Sequence, residues 1–284
     1  MFLATPAPGA LVQRVVTAGV LLPLLLAAIV FLPNLWWSLL LLLPLGLAAR
    51  EWARLAGWAA GARTAFTGAA CVAAAALAFA YEAASASSAA NAFATGAFAV
   101  AVAFWLGLVP AWLYRKWRAT GWLTVMLAGL AVLLPFWLAG ARLQADPGRL
   151  LYVLGIVWVA DTAGYFAGRG LGRHKLAPSI SPGKTWEGSG GALLGVTIYW
   201  ILAAWLWRRP EAVGLQGVGA ALAIAVISMV GDLFESLMKR QAGVKDSGTL
   251  MPGHGGMLDR IDSLTAALPA AALYVALIPP ASGA

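Results

Sequence analysis

Long apolar runs recur along this chain of 284 residues, separated by short polar loops, and no other feature restricts its fold as strongly. A helical membrane crossing needs about 20 mainly apolar residues, because backbone groups in hydrocarbon must satisfy one another. By that measure nine spans are expected, at 12–32, 35–49, 64–81, 92–113, 122–139, 150–167, 190–206, 213–230 and 261–278. The expectation is therefore an all-α polytopic membrane protein with about nine transmembrane helices. Composition agrees: 11% of residues are charged, where a soluble domain has about 25%. The fourteen tryptophans suit the headgroup level, where an apolar ring with one N–H donor is at home. The first run is too long for a signal peptide and Pro33-Asn34 does not resemble a small-residue cleavage site, so it is expected to be retained.

Lys and Arg set the expected orientation, since positive charge stays on the cytoplasmic side. With nine spans, fifteen fall in the loops of one side and four, Arg142, Arg149, Arg208 and Arg209, on the other. That asymmetry puts the amino terminus in the cytoplasm and the carboxyl terminus outside. It also makes loops 168–189 and 231–260 cytoplasmic, facing the nucleotide pool. The net charge of +8 lies in short clusters between apolar runs, a pattern that fits an anionic leaflet and argues against nucleic acid as a partner.

Cys71 is the only cysteine, which excludes an intramolecular disulfide and a cysteine-based metal site. Eight of the eleven acidic residues lie from Asp161 onward. Residues 1–149 are accordingly expected to form a transmembrane scaffold, and 150–284 the catalytic region. The small-residue stretch 64–103 allows close helix packing, in lipid contact or at an oligomer interface such as a homodimer.

Charge concentrates at 231–263, which holds five of the acidic residues. If the eighth span continues as a helix, Asp232, Ser236, Lys239 and Arg240 share one face. Asp259, Asp262 and Ser263 share a face at the start of the ninth. Between them Gly255 and Gly256 follow His254, a pattern expected to turn backbone N–H groups inward as an anion nest. Carboxylates and hydroxyls on two helix ends are hard oxygen donors, the kind Mg²⁺ takes together with substrate phosphates. With Lys and Arg beside them, the pattern points to phosphoryl or nucleotidyl transfer. The plainer alternative, solvated loop charges, stays open for Lys245, Asp246 and His254.

A second mixed loop runs from Asp161, which follows an uncharged run and needs a partner, to Ser181-Pro-Gly-Lys184-Thr-Trp-Glu187. Ser-Pro-Gly-Lys-Thr lacks the earlier glycine of a Walker loop, so it is read as a short basic loop near phosphates.

Ser236-Leu-Met-Lys239-Arg240, Lys245-Asp246-Ser-Gly248 and His254-Gly-Gly-Met-Leu-Asp259-Arg260-Ile-Asp262 together resemble the signature of the phosphatidate cytidylyltransferase family. Asp161-Thr-Ala-Gly-Tyr165 and the Lys184 block resemble two further family segments; Gly183 stands where many members carry a second Lys. The resemblance covers 157–268. It implies a multi-pass enzyme, in a bacterial inner membrane with its site at the cytoplasmic face, that joins CTP to phosphatidic acid to give CDP-diacylglycerol and pyrophosphate. It implies Mg²⁺, in one- or two-metal form, held by Asp232, Ser236, Asp259 and Asp262. Lys239 and the His254 loop would serve nucleotide phosphates, with Asp161, Ser181, Lys184, Arg240 and Arg260 around the substrates. The alternative class is an ion-coupled transporter using Asp161 and Asp232.

Overall fold

The computed structural model describes residues 8–84, 87–119, 121–206, 214–248 and 255–278. Helix α1 (Pro8–Phe31) turns at Pro33 into α2 (Asn34–Leu40), and a turn at Leu41 separates α2 from α3 (Leu42–Leu55). Then follow α4 (Ala60–Ala83), α5 (Ser88–Ala103), α6 (Val109–Arg115), α7 (Trp122–Leu143) and α8 (Pro147–Leu171). The last three are α9 (Trp186–Leu206), α10 (Leu215–Gln241) and α11 (Leu258–Leu277). A π-helical turn, Phe104–Leu108, joins α5 to α6. Pro110 explains it: with no N–H, it cannot donate to the carbonyl four residues back, and its ring forces the turn to widen.

Seven helical runs among the described residues are long and apolar enough to cross a membrane: α4, the α5–α6 run, and α7 to α11. Within α1 the stretch Gly19–Phe31 is apolar, and the second expected span is divided at Leu41. The protein is a helical, multi-pass membrane protein. One feature departs from all-α: β1 (Lys175–Ala177) and β2 (Ser181–Thr185) form an antiparallel hairpin, with Lys175 opposite Thr185 and Ala177 opposite Ser181. Strands this short carry too little alternation to be read from sequence.

Small residues decide which helices touch. A Cβ on Gly195 would lie 2.6 Å from the Ala163 Cβ, so α9 can lie against α8 only with glycine there. Gly231 does the same between α10 and α11, where an added Cβ would stand 2.7 Å from the Asp262 carbonyl oxygen. This contact sets Asp232 beside Asp262. Phe234, fully buried on α10, is ringed by Trp52, Phe104, Trp105 and Trp112 at centroid distances of 5.4–6.2 Å. That aromatic box fixes the rotation of α10, and with it the direction of the neighbouring charged side chains.

The basic segments collect at one end of the bundle. Arg54 donates to the Ser247 carbonyl, Gln241 to the carbonyls of Lys116 (3.3 Å) and Trp117 (2.7 Å), and Arg240 to that of Ile180 (3.3 Å). At the other end Asn34 bonds the Ala141 carbonyl (2.7 Å) and Gln144 (2.8 Å), while Arg142 bonds Asn91 (2.6 Å). Successive spans, counting α2 with α3 and α5 with α6, alternate between these ends, as short connections require.

Candidate active site

Helix α10 continues unbroken to Gln241, past the apolar part of its span. It therefore carries Asp232, Glu235, Ser236 and Lys239 out on one face, one and two turns apart. The Ser236 hydroxyl donates to Asp232 Oδ1 at 3.3 Å. Lys239 Nζ pairs with Glu235 on its own helix and with Asp259 Oδ1 at 2.6 Å on α11. Lys184, on β2, pairs with Asp232. The hairpin is thus tied to α10 twice, by this ion pair and by the Arg240 bond to Ile180.

Asp262 lies one turn after Asp259 and points to the same cluster. Its Oδ1 accepts from the Ser263 N–H at 2.6 Å, and it has no ion-pair partner among the described residues. Asp161, exposed on α8, interacts electrostatically with Asp232, Lys184 and Asp262. Three carboxylates from three helices thus repel one another, with Lys184 and Lys239 beside them. A carboxylate left without a cation next to two others is a donor set suited to a hard divalent ion. No three carboxylate, His or Cys side chains converge on one point among the described residues, so the donors are present but spread.

Asp259 is placed differently. Its Oδ2 accepts from the Ser247 N–H (2.8 Å), the Ser247 hydroxyl (2.9 Å) and the Gly256 N–H (2.7 Å), while Oδ1 holds Lys239. Three donors crowd Oδ2, while Oδ1 carries Lys239 alone. Gly255 lies at φ +77°, and a Cβ on it would meet Asp259 Oδ2 at 2.7 Å, so glycine is needed there for both backbone angle and space. Of the expected anion nest, the Gly256 N–H is taken by the protein's own Asp259, and residues 252–254 lie outside the described residues. Beyond Gly256, the N–H groups of Met257 and Leu258 are taken by Glu51 on α3 at 3.0 and 2.8 Å.

The other expected site residues have the following surroundings. Arg240 binds the backbone carbonyls of Ile180 and Val244, both at 3.3 Å, which makes it a loop fastener here. Ser181 opens β2, half-buried, and Arg260 lies exposed in the first turn of α11. His254 falls outside the described residues. Lys245 and Asp246 are exposed, whereas Ser247 beside them is fully buried. A cavity of about 220 Å³ lined by Trp52, Leu55, Val125, Met238 and Gln241 lies against a different face of α10 and contains none of the carboxylates.

Sequence reasoning passed over Glu51, Glu235 and Ser247. Glu51, beside Arg50 just past the span expected at 35–49, offered nothing to set it apart from an ordinary loop charge. Glu235 offered the Glu-to-Lys spacing of four. Ser247 offered nothing, since its role comes wholly from two partners that tertiary folding supplies.

Fold and site together define a multi-pass membrane protein whose polar end suits chemistry on an anionic, phosphate-bearing substrate. The chain belongs to the cytidylyltransferase family, whose model matches residues 12–278. It is similar to a phosphatidate cytidylyltransferase of Pseudomonas aeruginosa, 41% identical over 271 residues that cover 93% of this chain and 97% of the relative. Relatives of the same name include one from Haemophilus influenzae, 42% identical over 188 residues (60% of this chain, 64% of the relative). Another, from Thermotoga maritima, is 44% identical over 118 residues (40% and 44%). Membership in an enzyme family sets aside the transporter alternative.

Proposed function

We propose that the protein joins CTP to phosphatidic acid, releasing pyrophosphate and leaving CDP-diacylglycerol in the membrane. The observation that carries this reading is that Asp161, Asp232 and Asp262, though not converged on one point, lie within electrostatic reach of one another and of Lys184 and Lys239 at one end of a helical bundle. Nucleotidyl transfer between two anionic reactants needs both signs of charge in one place. That end is proposed to face the cytoplasm, where CTP is present. Residues 1–149 are proposed as the scaffold that holds 150–284.

Asp232 and Asp262, with the Ser236 hydroxyl beside Asp232 and Asp161 facing both, would hold a divalent ion; hard oxygen donors favour Mg²⁺. When bound, that ion neutralises phosphate charge and assists the leaving group. Asp259 would join such an ion through Oδ1, which carries Lys239 alone, and Glu235 is a second acceptor for that lysine.

Lys184 and Lys239 are charge-satisfied by carboxylates in the structure described. Phosphate oxygens compete for the same ammonium groups, so substrate entry exchanges carboxylate partners for phosphate partners. The attacking oxygen belongs to a phosphate monoester, whose second pKa is about 6. It is anionic at neutral pH, and the chain need not supply a strong base. Attack on the α-phosphorus of CTP forms one P–O bond and breaks another, and pyrophosphate departs with the electron pair.

The purified protein should convert labelled CTP and phosphatidic acid, with Mg²⁺, into a lipid-soluble cytidine product. A protein that used ATP or UTP instead, or that made no such product, would not be this enzyme.

A further inference from the structure

Glu51 lies far in sequence from the charge of the C-terminal half, yet it is the residue on which the loop before α11 closes. It is buried in α3, 9% exposed, with no ion-pair partner among the described residues. Hydrogen-bond donors replace a counter-ion. Oε1 accepts from the Met257 N–H (3.0 Å), and Oε2 from the Leu258 N–H (2.8 Å) and the Ser247 hydroxyl (3.0 Å). Met257 occupies the N-cap position of α11 and provides no side-chain cap. A helix start needs its free N–H groups satisfied, and a carboxylate there also meets the positive end of the helix dipole. Glu51 supplies this cap from another helix.

The surroundings are shaped to that carboxylate. A Cβ on Gly256 would stand 2.5 Å from both Glu51 oxygens, and one on Gly248 would collide with Oε1. One turn along α3, Arg54 holds the Ser247 carbonyl. The Ser247 hydroxyl lies between Glu51 and Asp259, and its single proton serves one of them at a time.

We propose that Glu51 is a positioning residue for the transfer reaction, capping α11 and gripping Ser247 so that Asp259 and Asp262 are presented at fixed register to α10. The proposal rests on the function proposed above for its activity readout alone. Glu51 touches neither lysine of the site and acts through Ser247 and the first turn of α11.

The test uses the full chain in lipid–detergent micelles. Glu51→Gln keeps the shape but turns one acceptor oxygen into a donor. It should lower kcat at least tenfold and leave KM for phosphatidic acid within twofold. Amide exchange at Met257 and Leu258 should quicken at least tenfold, while that of α4 and α8 stays unchanged. Glu51→Asp should recover part of kcat. A kcat within twofold of the parent, or unchanged exchange at Met257 and Leu258, would overturn the proposal. If Glu51→Gln does not accumulate, Glu51→Asp, which keeps the charge but withdraws it by one methylene from both N–H groups, should lower kcat and quicken exchange at Met257 and Leu258 to a smaller extent, and parent values of both in it overturn the proposal. If the parent protein makes no lipid-linked cytidine, the functional reading fails, and the exchange data still decide the role of Glu51.

Discussion

Asp259 accepts hydrogen bonds from Lys239, from both donors of Ser247 and from Gly256, and so joins α10, the preceding loop and α11 in one carboxylate. Hydrogen bonds to charged groups stabilise by roughly 1.5–3 kcal/mol each. Asp259→Asn replaces an acceptor oxygen with a donor that faces other donors. We expect turnover to fall below detection while the protein still elutes as a folded species in detergent; near-normal turnover would remove Asp259 from the reaction. Lys184→Ala leaves Asp232 without its cation. If Lys184 passes from Asp232 to a phosphate, KM for CTP should rise several-fold in steady-state assays, and unchanged CTP kinetics would exclude that contact. Gly256→Ala sets a methyl against Glu51 and the Ser247 hydroxyl. Overpacking of this kind costs about 1–3 kcal/mol, visible as a lowered Tm. At this scale the sequence showed which residues carry charge. It did not show that Asp259 is held by its own loop while Asp262 has no ion-pair partner among the described residues, because hydrogen-bond partners are set by packing.

Helix α10 is the element that organises the site. Its charged face emerges where the span leaves the membrane, and its rotation is held by Phe234 among four aromatic rings. Large-to-small changes at such positions cost about 3–5 kcal/mol. Phe234→Ala should therefore lower thermal stability sharply, and should lower activity even at temperatures where the protein stays folded, since α10 can then rotate. A folded Phe234→Ala variant with full activity would show that the aromatic box does not orient the site. The continuation of α10 past Gly231 was legible from the spacing of Asp232, Ser236 and Lys239. The hairpin was not, because three- and five-residue strands outside the membrane give no usable period. Nor was the role of Gly231, which depends on how near α11 comes.

The whole molecule places the segments around Arg54, Lys116, Lys184 and Lys239 at one end and those around Asn34, Arg142 and Gln144 at the other. If the first end is cytoplasmic, cysteine introduced at Lys245 should react with impermeant thiol reagents only after the inner face is opened. Cysteine at Arg149 should react from outside; the reverse pattern would invert the assigned orientation. Apolar run length determined, from sequence alone, that this chain is a multi-pass helical protein, because hydrophobic transfer and backbone satisfaction act locally along the chain. The motifs carried its family as well. Only the tertiary structure decided that Glu51, from a helix about two hundred positions earlier, closes the loop before α11. The physical reason is that a buried carboxylate is satisfied by whichever donors packing brings to it, and those donors have no fixed distance along the sequence.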